Sequence, residues 1–200
     1  MKKIAVLISN TGTGTNLQAL IDGIKFKKIN AQIVVVISDI KDAMGLSRAV
    51  KNNLKTEIVS KKEELLTVLQ KYSPDYICLA GWKQFIVKKV IDKYPNQILN
   101  LHPGIIPDTI DSRFNNPDGT PGEWNKKKLT DIAIKNILEK NATYAGSSIH
   151  FLTHDFDFGV VLGRCFEKVK TGDTIQSLYQ RLKVKENKLY QDVLEKLCHE

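Results

Sequence analysis

Ile4-Ala5-Val6-Leu7-Ile8 runs into Ser9-Asn10-Thr11-Gly12-Thr13-Gly14-Thr15-Asn16, after which Leu17, Leu20, Ile21 and Ile24 recur at helical spacing. The first five residues do not alternate apolar with polar, which marks a strand buried on both faces, as in a parallel sheet. A buried strand followed at once by an amphipathic helix is the opening of a βαβ crossover, the connection that parallel strands require. The loop between them is rich in glycine and hydroxyl groups. Free backbone N–H groups at the helix start, aided by the helix dipole, make it a candidate phosphate site, and the plainer alternative is a tight turn. No Gly-Lys-Ser/Thr closes the loop as in a Walker A sequence, and the full GxGxxG dinucleotide spacing is absent.

The alternation continues. Ile33 to Ile37 reads as a second buried strand, Ala43 to Asn52 as a short helix, Thr56 to Ser60 as a short strand, and Lys62 to Tyr72 as an amphipathic helix ended by Pro74. Tyr76 to Ala80 is the next buried strand, closed by Gly81-Trp82, and a helix over 86–94 follows. This pattern predicts an α/β chain, Rossmann-like and doubly wound, with a mostly parallel sheet, helices on both faces and ligands at the carboxyl ends of the strands. We read one domain, with a phosphate-binding half over 1–95 and a catalytic half over 96–200. Further on, 126–140 reads as a helix, Ser147 to Leu152 as a strand, Val160 to Val169 as a strand of antiparallel character, and Ile175 to Leu197 as a long helix.

Ile98-Leu99-Asn100-Leu101-His102-Pro103 is the strand on which chemistry and fold meet. Residues i and i+2 of a strand project to one side, so Asn100 and His102 point together, and Pro103 stops the ladder. An amide and an imidazole aimed at one point suit a developing oxyanion; the bland alternative is a backbone-bonded histidine beside a capping asparagine. The following stretch, 108–124, is dense in turn formers such as Asn115-Asn116-Pro117-Asp118-Gly119, and we read it as a lid over the site, the alternative being a surface excursion.

Composition narrows the classes. Hydrophobic residues at 42% and charged residues at 26% are ordinary for a globular chain. Neither a signal-peptide pattern nor a membrane-length apolar run is present, and Cys78, Cys165 and Cys198 form neither a disulfide framework nor a zinc knuckle, so we expect a cytoplasmic protein with no membrane partner. The formal charge of +8 is carried almost wholly by lysines, with only Arg48, Arg113, Arg164 and Arg181 to offer a planar fork. We read it as a field favouring anionic small molecules, with Lys126-Lys127-Lys128 a solvated helix face and nucleic acid not a partner.

His150-Phe151-Leu152-Thr153-His154-Asp155-Phe156-Asp157-Phe158-Gly159 brings two histidines and two carboxylates into ten residues. The spacing does not match a helical zinc site, so no metal is expected. A carboxylate between phenylalanines should be desolvated, raising its pKa and suiting it to proton transfer with His102. On chemistry alone Asp155 and Asp157 are not separable.

Taken in order, Gly14-Thr15-Asn16-Leu17-Gln18, Leu79-Ala80-Gly81-Trp82, Asn100-Leu101-His102-Pro103, Gly146-Ser147-Ser148-Ile149-His150-Phe151 and Asp157-Phe158-Gly159 resemble the phosphoribosylglycinamide formyltransferase family of folate-dependent enzymes. The resemblance implies transfer of a formyl group from 10-formyltetrahydrofolate to the amine of glycinamide ribonucleotide in purine synthesis. It places catalysis on Asn100, His102 and Asp157, with Asn100 and protonated His102 stabilising the oxyanion and Asp157 sustaining the histidine. It assigns the acceptor to Gly14, Thr15, Asn16, Gly81, Lys83, Pro103, Lys183 and Glu186, and the folate to Gln84, Phe85, Ile86, Leu152, Thr153 and His154 together with Asn100 and Asp157. The partners it implies are small molecules, with the chain a monomer or homodimer. The 108–124 stretch is longer than the family's corresponding segment. Two alternatives stand beside this: a formyltransferase acting on another amine, such as an amino sugar nucleotide, and a non-catalytic folate- or nucleotide-binding protein.

Overall fold

β1 (Lys2–Ile8) pairs in parallel with β2 (Ala31–Ser38) on one edge and β4 (Tyr76–Leu79) on the other. It is therefore an interior strand, and Ile4, Ala5, Val6 and Leu7 are fully buried, as their unbroken apolar run predicts. The computed structural model describes residues 1–9 and 13–199, so Asn10, Thr11 and Gly12 of the expected phosphate loop lie outside the described residues. Two compact units divide the chain: Met1–Asn100 with Tyr190–Glu200, and Leu101–Leu189.

In the first unit β3 (Thr56–Ile58) pairs with β2, and β5 (Ile98–His102) with β4, giving the parallel order β3-β2-β1-β4-β5. The crossovers carry α1 (Thr15–Lys25), α2 (Leu46–Lys51), a 3-10 turn at Lys62–Glu64 leading into α3 (Leu65–Tyr72), and α4 (Lys88–Lys93). Leu17 and Leu20 on α1 and Leu65 and Leu69 on α3 are fully buried, each gaining roughly 1.5–3 kcal/mol over exposure. Tyr190 is wholly buried with its hydroxyl 3.2 Å from the carbonyl oxygens of both Leu79 and Leu99, which satisfies the one polar atom it carries inward.

The second unit holds the antiparallel pair β6 (Tyr144–Phe151) and β7 (Val161–Lys168), α5 (Thr130–Glu139) and most of α6 (Ile175–His199). Ile134 and Ile137 of α5, Ala145 of β6, and Leu178 and Leu182 of α6 form its core. Among the described residues five parallel strands and one antiparallel pair make this an α/β protein with mostly parallel strands, the expected class. Among the described residues no helix is long and apolar enough to cross a membrane.

Element bounds differ where side-chain periodicity is a poor guide to backbone. The helix expected over 126–140 begins only at Thr130, because Asn125 and Lys127 adopt positive φ (54° and 63°) and hold Lys126, Lys127 and Lys128 in a turn instead of on a helix face. Between β5 and α5, residues 114–123 carry their own hydrogen bonds. Asn115 bridges Pro121, the Gly122 N–H donates to the Phe114 carbonyl at 2.9 Å, and buried Asn116 donates to Thr120 and Pro121. Arg164 on β7 lies over the Phe114 ring and bonds the Ile106 carbonyl and Asp108.

Candidate active site

β5 ends at His102, where Pro103 removes the next ladder donor, and the imidazole is 2% exposed. Its Nδ1 lies 3.5 Å from Asp157 Oδ1 and its Nε2 lies 2.6 Å from the Trp124 carbonyl oxygen. Carboxylate and carbonyl oxygens only accept, so both ring nitrogens are satisfied only when both carry hydrogen. The Trp124 carbonyl comes this close because residue 104 is glycine: a Cβ there would lie 1.9 Å from it.

Asp157 sits at φ 52° in the loop after β6, held from several sides. The Lys127 N–H donates to its Oδ2 at 2.7 Å, and the Trp124 indole Nε1–H donates to its backbone carbonyl at 3.1 Å. Asn125, buried, donates to the Pro103 carbonyl at 3.1 Å and accepts from Asn136 at 2.8 Å, pinning the same turn to the chain that follows His102. The Trp124 and Phe158 rings pack at 5.9 Å, and Lys126 lies over the indole at 4.7 Å.

The electrostatics correct one expectation. Burial does push the Asp157 carboxyl up, but the His102 bond and charge, the Lys127 amide and His150 together outweigh it, leaving the group below its ordinary value. Asp157 is thus a standing carboxylate facing an imidazole and not a desolvated acid. His150, fully buried on β6, is pushed down to about 4, first by burial and then by the charge on His102; the Phe151 carbonyl, 3.0 Å from its Nδ1, and Asp157 act in the opposite direction.

Of the other expected site residues, Leu152, Thr153 and His154 occupy the same post-β6 loop as Asp157, where the Thr153 hydroxyl donates to the Phe158 carbonyl at 2.7 Å. Asp155 is exposed, so the structure separates the two aspartates that the sequence leaves open. On α6, Glu186 is buried and accepts from the Ser147 hydroxyl at 2.6 Å; burial raises its carboxyl, against the pull of Ser147 and the charge of Lys183. Lys183 lies over the Tyr179 ring.

In the first unit Gly14 takes the left-handed conformation (φ 70°, ψ 23°) as N-cap of α1, and Thr15 and Asn16 are the helix's first residues. Asn100 is half-buried on β5. Gly81, Lys83, Gln84, Phe85 and Ile86 follow β4, with Phe85 69% exposed. The Lys83 N–H donates to the Ser9 hydroxyl at 3.0 Å, and Ser9 donates to Asp39, tying together the ends of β1, β2 and β4. Sequence reasoning missed Trp124, Asn125 and Lys127: the Trp124 carbonyl and the Lys127 N–H that meet His102 and Asp157 are backbone atoms and leave no residue-type signal. Among the described residues no group of three or more His, Cys, Asp or Glu side chains is placed to hold a metal.

A mostly parallel α/β chain with a buried histidine–carboxylate pair at a strand end belongs to the class of folds that bind small molecules at the carboxyl ends of their strands. Comparison with known proteins narrows that class: the family model described as Formyl transferase matches residues 2–110, more than half of the chain, and the chain belongs to that family. It is 30% identical to the chloroplastic phosphoribosylglycinamide formyltransferase of Arabidopsis thaliana over 100% of its own length and 66% of the relative's. It is 31% identical to the trifunctional purine biosynthetic protein adenosine-3 of Bos taurus, covering 96% of this chain and 18% of that one. The chain therefore spans under two thirds of the length of these curated relatives. The crystal structure of glycinamide ribonucleotide transformylase 1 from Symbiobacterium toebii superposes with a TM-score of 0.82 at 30% identity, covering 100% of this chain and 88% of that one.

Proposed function

We propose that this protein is a phosphoribosylglycinamide formyltransferase, moving a formyl group from 10-formyltetrahydrofolate to the amine of glycinamide ribonucleotide in purine synthesis. The observation that carries the reading is the buried His102 held between Asp157 and the Trp124 carbonyl at the end of β5, in a chain of the formyl transferase family.

In this reading the acceptor amine attacks the formyl carbon, and negative charge develops on the formyl oxygen. Asn100, two residues before His102 on the same strand, offers a neutral donor. His102, 3.5 Å from the Asp157 carboxylate, offers a second one. The C–N bond to the folate then breaks as the proton lost by the amine passes to the departing nitrogen, with the histidine–carboxylate pair as the relay. Because the Nε2 hydrogen is engaged by Trp124, stabilising an oxyanion requires exchange of that bond. The backbone amides of Gly14, Thr15 and Asn16 receive the acceptor's phosphate, and Lys183 and Glu186 are assigned to the same acceptor. The folate is assigned to Gln84, Phe85, Ile86, Leu152, Thr153 and His154.

A formyl-transfer assay with 10-formyltetrahydrofolate against a panel of phosphorylated amines tests this. Turnover confined to glycinamide ribonucleotide supports it, preference for an amino sugar nucleotide replaces the acceptor, and folate binding without turnover replaces the activity. The reading also places the protein in the cytoplasm as a monomer or homodimer and treats 108–124 as a lid. Hydrogen exchange across that stretch should slow when a folate analogue binds, and unchanged protection would remove the lid.

A further inference from the structure

We infer that Arg48 is the positioning residue of the phosphate loop, a role that rests on the reading that residues 14–16 receive the acceptor's phosphate. Its Nε donates to the Thr13 carbonyl at 2.9 Å and its Nη1 donates to Gln18 Oε1 at 3.1 Å, so one guanidinium grips both the loop and the first turn of α1. The peptide joining Thr13 to Gly14 is trans, with its C=O and N–H pointing in opposite directions. Anchoring the Thr13 carbonyl on Arg48 therefore turns the Gly14 N–H away from the guanidinium.

Gly14 is left-handed and Thr15 begins a right-handed helix, and a left-then-right pair converges three successive amides on one concavity. The anchored peptide carries the first of those amides. The stem of Arg48 completes the support: a Cβ on Gly14 would lie 2.8 Å from Gly45 Cα and 3.2 Å from Arg48 Cδ, so the loop rests directly on the start of α2. The buried Thr15 hydroxyl has no hydrogen-bond partner among the described residues, which leaves a donor at this place for an anion's oxygen.

Position 48 requires the fork and not simply a positive charge. A lysine ammonium is a single point on a flexible stem, unable to hold the Thr13 carbonyl and the Gln18 amide oxygen in one fixed plane. Arg48 touches neither reacting group; it acts on the acceptor through the amides it aims.

The test is calorimetric titration of the whole protein with inorganic phosphate, for wild type, Arg48→Met and Arg48→Lys, alongside steady-state kinetics with glycinamide ribonucleotide. Arg48→Met should weaken phosphate about tenfold, the net worth of one charge-assisted hydrogen bond. Arg48→Lys should weaken it nearly as much, and in both the acceptor KM should rise more than kcat falls. A lysine variant that binds phosphate like wild type would reduce the role to charge and overturn the inference, as would an unchanged Met variant. Gln18→Leu, which removes one of the two grips, should fall between wild type and Arg48→Met, and a Gln18→Leu protein weaker than Arg48→Met would also overturn it. Wild type that binds no phosphate at all would overturn the reading of the loop and take this inference with it.

Discussion

In the function proposed above, the loop at 13–16 and the turn at 123–127 each set the geometry of a site, and they do so with different groups. At 13–16 the groups proposed to hold the acceptor's phosphate are backbone amides, beside one left-handed glycine and the arginine that bonds the Thr13 carbonyl. Around His102 the groups are side chains, aimed by a turn in which Asn125 and Lys127 take left-handed backbone conformations without being glycine, as Asp157 does in the loop after β6. Each such residue costs on the order of 1–3 kcal/mol, a strain the surrounding bonds must offset. The Trp124, Asn125 and Lys127 hydrogen bonds to His102, Pro103 and Asp157 are where that compensation lies. Both sites depend on support from outside their own segment: Gly45 and Arg48 at α2 back the amides, and the turn at 123–127 backs the ion pair.

The largest effect should come from the pair itself. His102→Ala and Asp157→Asn should each lower kcat on the order of a hundred- to a thousandfold, with the acceptor KM little changed, and the double variant should be scarcely worse than the poorer single one. Gly14→Ala should do the reverse, raising the acceptor KM with a smaller loss of kcat, since φ 70° is strained for alanine. Steady-state kinetics on the folded variants decide this, and a near-normal kcat for His102→Ala would break the contrast.

The next effect is on stability against acid. His150 is held at about 4 in the fold against 6.5 ordinarily, so the unfolded chain takes up its proton first as pH falls. Its contribution is complete above pH 6.5, shrinks as pH drops towards 4, and amounts to at most roughly 3 kcal/mol. Asp157 adds a second loss at lower pH: its carboxyl is depressed, so its contribution is full above its ordinary value of 3.8 and fades as pH falls through the still lower folded value. Urea unfolding at pH 7, 5.5 and 4.5 should show the first loss, and His150→Asn should flatten it. An unchanged slope in that variant would mean that the acid sensitivity originates elsewhere.

A smaller effect should follow Gly104→Ala. The added Cβ would collide with the Trp124 carbonyl at 1.9 Å and displace the turn from His102. About 1–3 kcal/mol of stability should be lost in thermal or urea unfolding, with a fall in kcat because the pair loses its alignment. Loss of stability with full kcat would show that the Trp124 carbonyl does not align the imidazole. The smallest change belongs to Lys126→Ala, which removes a cation over the Trp124 ring at 4.7 Å and should cost about 0.5 kcal/mol.

What the sequence determined by itself is whatever short-range periodicity and punctuation control. The apolar run at 4–8, the helical spacing from Leu17 to Ile24, and the proline after His102 specify β1, α1 and the end of β5 because burial on both faces, burial on one face and a missing donor act within a few residues. Asn100 and His102 fall on one strand for the same reason. Residue chemistry leaves Asp155 and Asp157 open and the family resemblance selects Asp157, which the structure places facing His102; the tertiary structure alone decided that its carboxyl is held down and not raised, and that Lys126 to Lys128 lie in a turn. Those outcomes depend on the Trp124 carbonyl, the Lys127 amide and the room left at Gly104. Backbone atoms are the same in every residue, so their placement near a distant side chain has no signature in the order of residue types.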